Sequence, residues 1–241
     1  MLNMKVLLII PAYNEELNID RVLKEIKRDF NDVDILVIND CSLDKTKDIV
    51  LSNDVKCITL PFNMGYSRAV QTGIKYANDN DYDYVIQFDA DGQHIASEAK
   101  KMLEFMLREK CDIVIGSRYL EENNYKQSFF RMLGTIIFRK LIKSFCKTTI
   151  TDPLSGFQCL NKRAIQRFSK LGGYPNYPDA NLIIELLYER FDIKEISVKM
   201  RLREFGESMH GGIIKPIKYM LEMFYTIFII LLRHLFTRRR R

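Results

Sequence analysis

Cysteine is scarce and poorly placed for a framework. The five residues Cys41, Cys57, Cys111, Cys146 and Cys159 are odd in number and none has C-x-x-C spacing. That excludes a disulfide scaffold and a thiolate metal cluster, and it implies a reduced, cytoplasmic compartment. No signal-peptide pattern is present: the apolar stretch 6–10 is too short for an h-region and runs straight into Pro11-Ala12-Tyr13-Asn14-Glu15. The long apolar segment near the C-terminus lacks the roughly 20 uninterrupted apolar residues of a membrane span. Its longest uncharged run, 223–232, is bounded by Glu222 and Arg233. Internal repeats and low-complexity linkers are absent, so 241 residues, 47% of them hydrophobic, read as one large α/β domain with a full core.

The balance of charge is +6, with a pI near 9.0, which calls for an anionic partner. Four arginines at 238–241 follow an apolar helix and no aromatic-studded basic groove, so lipid or phosphorylated substrate fits and nucleic acid does not.

Short apolar runs at 5–10, 34–38, 56–60, 84–88 and 112–115 alternate with amphipathic stretches at 15–30, 43–51, 67–78 and 96–109. This alternation predicts a Rossmann-like, mainly parallel sheet flanked by helices. Ligands of such sheets bind outside the carboxyl ends of the strands, where the motifs fall. The second half predicts a helix over 127–146, a polar loop at 151–156 and a strand at 157–160. Helices at 162–169 and 179–190, a strand at 193–201 and a helix at 213–236 follow. Arg131, Thr135, Arg139 and Lys143 recur every four residues of the 127–146 helix, which predicts one shared face; a solvated charge stripe is the plain alternative.

After the fourth strand comes Phe88-Asp89-Ala90-Asp91-Gly92-Gln93-His94. Two carboxylates at i and i+2 in a loop at a strand end can share Mg²⁺ or Mn²⁺ bridging a diphosphate, with a carbonyl oxygen from Gln93. A solvated acidic turn is the competing reading. His94 is expected to be a polar surface residue more than a ligand or base. In the loops after the first two strands, Asn14 is a candidate N-cap, Asp40 a candidate acceptor for a base N–H and Tyr13 a surface for the base to pack on.

The ordered set Pro-Ala-Tyr-Asn-Glu-Glu, Asn-Asp-x-Ser-x-Asp-x-Thr, Asn63-x-Gly65, Asp-Ala-Asp-Gly-Gln-His and Gly116-Ser117-Arg118 resembles the family-2 glycosyltransferases of GT-A fold. Within them it is similar to the dolichyl- and polyprenyl-phosphate sugar synthases. Asp152-Pro-Leu-Ser-Gly-Phe157 and Arg203-Glu-Phe-Gly-Glu-Ser208 extend the match over roughly residues 4–210. The resemblance implies that Pro11, Ala12, Tyr13, Glu15 and Asp40 hold the nucleotide. It gives Asp89, Asp91 and Gln93 to the metal, and Arg118, Arg131, Thr135 and Arg203 to an acceptor phosphate. Asp89, Asp91 and Arg118 are the catalytic candidates. Asp152 either contacts the donor sugar or builds the site, and Asp179 and Glu185 lie on a helix the family places nearby. Two departures stand out: Asn39-Asp40-Cys41-Ser42 replaces the family's usual Asp-Asp-Gly-Ser, and Ser67-Arg68 replaces small residues. Arg68 reads as an exposed helix residue or a phosphate contact.

An anionic acceptor phosphate needs cationic positioning instead of a base, and guanidinium groups match phosphate geometry. The expected reaction is inverting transfer from a UDP-sugar, such as UDP-GlcNAc or UDP-Glc, to undecaprenyl phosphate. A hydroxyl acceptor, with Asp152 or Asp179 as base, is one alternative, and a non-catalytic nucleotide-sugar-binding scaffold is another. The expected domain is 1–212, with 213–241 an amphipathic helix and basic tail lying in the membrane interface on the cytoplasmic face. The same apolar side would also fit a small integral membrane protein.

Overall fold

The computed structural model describes residues 4–121, 129–170, 178–202, 204–205 and 214–238, with residues 129–131, 214–217 and 237–238 described in their backbone only. Seven strands among these residues form one sheet: β1 (Val6–Ala12), β2 (Asp34–Asn39), β3 (Lys56–Thr59), β4 (Tyr84–Gln87), β5 (Ile113–Ser117), β6 (Gln158–Asn161) and β7 (Ile193–Ser197). Their order is β3-β2-β1-β4-β6-β5-β7. β1 runs parallel to β2 and β4, β2 to β3, and β5 to β7, while β6 is antiparallel to both β4 and β5. Two reversals cancel, so β4 and β5 point the same way. The loops leaving every strand but β6, and the loop entering β6, therefore open on one edge.

Among the described residues, eight helices flank the sheet: α1 (Ile19–Asp29), α2 (Thr46–Ser52), α3 (Tyr66–Asp79), α4 (Ala96–Glu109), α5 (Phe129–Cys146), α6 (Lys162–Ser169), α7 (Ala180–Tyr188) and α8 (Ile214–Arg238). Successive strand side chains point to opposite faces, which splits the core in two. Leu7 and Ile9 pack with Ile74 of α3, Ile165 of α6 and Ile183 of α7. Val6, Leu8 and Ile10 pack with Leu23 of α1 and Met102 of α4. Strands buried on both faces explain the unbroken apolar runs in the sequence.

Three expectations need correction. α1 begins at Ile19 instead of residue 15, with Asn18 and not Asn14 at its N-cap, because Asn14 has a left-handed backbone (φ 54°) and its side-chain oxygen, the acceptor a cap would offer, takes the N–H of Leu43. The four-residue stripe on α5 does not stay together: Thr135 is buried, Arg139 half-buried and Lys143 exposed. Each step of four advances 400°, so the row drifts about 40° per step around the helix.

The third correction concerns α8. Its segment Lys218–Phe236 is long and apolar enough, at mean hydropathy 1.5, to cross a membrane by length and composition. Counting uncharged runs missed this because isolated charges split the segment. One side of α8 is docked: Tyr219, Met223 and Ile227 are buried in the α3–α6–α7 core. Tyr219 donates to Asp179 Oδ2 at 2.9 Å and Asn181 donates to Thr226 Oγ1 at 3.2 Å. Leu221, Tyr225 and Phe228, on another side, are more than half exposed.

Candidate functional site

The two nucleotide-loop motifs interlock. The N–H groups of Asn14, Glu15 and Glu16 donate to Ser42 Oγ, Thr46 Oγ1 and Asp44 Oδ2 at 3.0, 2.8 and 3.0 Å. In return, Leu43 N–H donates to Asn14 Oδ1 (2.8 Å) and Lys45 N–H to Glu16 Oε2 (3.0 Å). The Ser-x-Asp-x-Thr pattern thus satisfies the backbone of the first loop. Asn14 and Cys41 make the turn with left-handed backbones, φ 54° and 59°. Asp40 accepts the N–H of Met64 at 2.7 Å and of Gly65 at 2.8 Å, so it anchors the third loop. Gly65 has φ 87°, a conformation side chains disfavour.

These loops meet the aspartates. Pro11, Ala12, Tyr13, Glu15 and Asp40 line one cleft of about 230 Å³ with Asp89 and Asp91. Asn63, Gly65 and Tyr66 close its wall. A larger groove of about 580 Å³ lies at the opposite ends of the strands. Lys56 donates to the Tyr76 hydroxyl and the Tyr82 hydroxyl to Asp34 there, and the groove carries none of the motifs.

In the metal loop, Asp89 Oδ1 accepts from the Tyr66 hydroxyl at 3.0 Å. Asp91 Oδ1 accepts Gln93 N–H at 3.0 Å, and Gly92 turns the chain at φ 76°. Gln93 is held from the segment after β7: its carbonyl accepts Arg201 N–H at 2.9 Å and its Nε2 donates to Arg201 O at 3.3 Å. The amide nitrogen is thus committed to a carbonyl, an arrangement a glutamate could not copy. Arg201 is itself paired with buried Glu25 at 2.5 Å. Among the described residues no three of His, Cys, Asp and Glu gather at one point. A Mg²⁺-like site nevertheless fits two carboxylates and an amide oxygen, because that ion keeps waters and draws further oxygens from substrate phosphates.

His94 is not the surface residue expected. It is 2% exposed. Its Nδ1 accepts Asp89 N–H at 2.9 Å, and its ring stacks on Phe157 with centroids 4.1 Å apart and 12° between planes. Burial lowers its pKa to about 4, against the raising pull of Asp91 and with the lowering push of Arg118.

The loop entering β6 is a platform. Asp152, fully buried, accepts from Arg118 Nε at 2.7 Å, Nη2 at 2.8 Å and the backbone N–H at 3.0 Å. Glu195 of β7 supports it, accepting Thr151 N–H at 2.6 Å and Asp152 N–H at 2.8 Å. Burial raises the Glu195 pKa, opposed by those bonds. A Cβ on Gly156 would lie 2.9 Å from the Tyr66 hydroxyl, so this glycine makes room for the group that bonds Asp89. Arg139 donates to Thr151 O and lies over the Tyr119 ring.

The structure therefore brings together the nucleotide candidates, Asp89 and Asp91; Gln93 sits beside Asp91 and is held on the Arg201 backbone, outside the lining of that cleft. It gives Arg118 to Asp152, Asp179 to Tyr219 of α8, and Glu185 to Arg167 of α6 and Arg233 of α8. Arg68 is half-buried and donates to Gln71 at 3.0 Å. Arg203 and the Arg131 side chain lie outside the described residues. Sequence reasoning missed Tyr66, Gly156, Glu195 and the burial of His94. The glycine and phenylalanine of the Ser-Gly-Phe motif are the only local signals for any of them.

Over residues 7–168 the sequence matches the profile of the family described as glycosyl transferase family 2. The dolichol-phosphate mannosyltransferase of Pyrococcus furiosus is 32% identical over 221 residues, a match spanning 87% of this chain and 60% of that protein's length. The UDP-N-acetylglucosamine–dolichyl-phosphate N-acetylglucosaminyltransferase of Methanococcus voltae is 25% identical over 218 residues, covering 83% and 86%. Glucosyl-3-phosphoglycerate synthase from Mycobacterium tuberculosis, crystallised with Mn²⁺, UDP and glucosyl-3-phosphoglycerate, is similar in structure with a TM-score of 0.67. That likeness, at 16% identity, covers 96% of this chain and 80% of that one, and it establishes the GT-A arrangement.

Proposed function

This chain belongs to glycosyl transferase family 2, and from that premise we propose that it moves a sugar from a nucleotide-sugar to a polyprenyl phosphate at a membrane surface. The donor is a UDP-sugar such as UDP-GlcNAc or UDP-Glc, the acceptor undecaprenyl phosphate, and the side cytoplasmic. The observation carrying this reading is the single cleft shared by the nucleotide loops and the two aspartates.

Asp89, Asp91 and Gln93 are the residues that hold Mg²⁺ or Mn²⁺. When bound, the cation neutralises charge on the leaving diphosphate. The acceptor phosphate oxygen attacks the anomeric carbon as the bond to the nucleoside diphosphate breaks, with inversion. An oxygen already anionic at neutral pH needs no general base, only placement.

The fate of the two candidate bases favours this acceptor over a hydroxyl. Asp152 has both oxygens on Arg118 and no exposure, and Asp179 receives the Tyr219 hydroxyl. The acceptor side is assigned to Arg118, Arg131 and Arg203. Thr135, at 2% exposure, offers little surface to a phosphate.

The exposed apolar side chains of α8, with Met132 and Ile136 of α5, suit a helix pair lying on lipid, with the arginines at 238–241 on headgroups. A small integral membrane protein is the other occupant such a side would fit.

The test uses labelled UDP-GlcNAc, UDP-Glc and a GDP-sugar, with Mn²⁺ or Mg²⁺ and undecaprenyl phosphate. A chloroform-soluble product that disappears in Asp91→Ala supports the proposal. A labelled glycan means a hydroxyl acceptor, and no turnover of any donor leaves a scaffold; either outcome overturns it.

A further inference from the structure

The last ladder bond of β4 on this side is Phe88 N–H to Ile9 O, at 3.0 Å. Asp89 therefore carries the first backbone donor beyond the sheet. A tight turn follows, so no neighbouring strand receives that donor; the imidazole of His94 does, at 2.9 Å. Because Nδ1 accepts, the neutral ring carries its proton on Nε2. That nitrogen lies 3.6 Å from Asp89 Oδ2, too far for a hydrogen bond but on the same residue. One ring thus addresses both the backbone and the carboxylate of Asp89.

The ring itself is fixed. Phe157 stacks on one face, and Phe88 meets it edge-on with centroids 5.3 Å apart at 84°. An apolar side chain would fill this space as well, since two of its neighbours are phenylalanines. What an apolar side chain could not do is accept the Asp89 N–H, and a buried donor left without a partner costs about 1–3 kcal/mol or moves. The other members of the loop have their own supports: Asp91 its bond from Gln93 N–H, and Gln93 the Arg201 backbone.

We propose that His94 is a positioning residue that sets Asp89 in its cation-holding geometry through the backbone N–H, and that it is not itself a ligand. This rests on the reading that Asp89 and Asp91 hold the divalent cation. Partners one step removed from a metal typically change its affinity 10–100-fold when lost.

The experiment measures Mn²⁺ affinity in the presence of UDP, by the EPR signal of free Mn²⁺, for wild type, His94→Phe, His94→Asn and His94→Gln. Phenylalanine keeps the stacking and removes the acceptor, so Mn²⁺ binding weakens about 10–100-fold. Asparagine places Oδ1 where Nδ1 stood and restores affinity to within about threefold of wild type, whereas the glutamine amide reaches the Nε2 position and does not. If His94→Phe fails to fold, the contrast between Asn and Gln carries the test. A purely structural role lowers Tm in these variants without separating Asn from Gln in Mn²⁺ affinity. Equal affinity in wild type and Phe, or equal loss in Asn and Gln, overturns the inference alone. No Mn²⁺ binding by wild type overturns it together with the reading of the site.

Discussion

Replacing Asp152 asks whether this carboxylate acts on substrate or on Arg118. It accepts three hydrogen bonds from Arg118, two of them from a guanidinium that is 11% exposed. Removing one partner of such a buried pair costs about 3–5 kcal/mol, because the other charge is left buried and unpaired. Against a typical domain stability of about 5–15 kcal/mol, Asp152→Leu is a severe lesion. At about 2–4 °C per kcal/mol for a chain of this size, Tm falls by about 6–20 °C. Removing both charges, in Asp152→Leu with Arg118→Met, takes away the unpaired ion as well. The double variant is therefore more stable than the Leu single variant, by about 2 kcal/mol or more. The chain has no tryptophan, so urea unfolding is followed by far-UV circular dichroism. A loss under about 1 kcal/mol in Asp152→Leu, or a double variant no better than its single parent, would refute the pairing. A base role predicts something else: Asp152→Asn abolishing turnover with stability intact.

Three further outcomes are expected. Gly156→Ala drives a methyl into the Tyr66 hydroxyl, so kcat falls at least about tenfold; in a Tyr66→Phe background the same change adds almost nothing, and full additivity would separate the two residues. His94 has a folded pKa of about 4, below its ordinary 6.5, so the stability it contributes is present above pH 6.5 and is lost as pH falls toward 4. The loss is about 3 kcal/mol at 1.36 kcal/mol per pH unit. Glu195, raised by burial, acts with the opposite sign, losing stability as pH rises through its folded value. Both proteins keep Glu195, so the difference between wild type and His94→Asn isolates the histidine; a flat difference from pH 7 to 4 contradicts the burial. Phe228→Asp places a charge on the exposed side of α8 and lowers sedimentation with anionic vesicles several-fold; unchanged partition places the membrane contact elsewhere.

Much of this site was legible because it is written in local runs. Apolar strands followed directly by Pro-Ala-Tyr-Asn-Glu or Asp-Ala-Asp-Gly mark strand ends, and a parallel sheet gathers strand ends on one edge. What was not legible depends on partners far apart in the chain. Tyr66 reaches Asp89 through the space left by Gly156, and Glu195 holds the loop that holds Arg118; neither pairing has a period or spacing to announce it. His94 looked like a surface residue because a lone histidine beside a turn usually is one, and its burial comes from Phe157, supplied by the loop entering β6. The reversed β6 was equally hidden, since strand direction follows from connection geometry and not from composition. Asn14 looked like a helix cap because its chemistry suits one, but its side-chain oxygen instead accepts the Leu43 N–H of the second loop.

Anomalous diffraction at the manganese edge, from crystals grown with Mn²⁺ and UDP, tests the central claim most directly. The expected result is one Mn²⁺ within about 2.0–2.4 Å of oxygens from Asp89, Asp91 and the UDP diphosphate, with the base in the cleft lined by Tyr13 and Asp40. A nucleotide bound outside that cleft, or manganese absent from both aspartates, would contradict it.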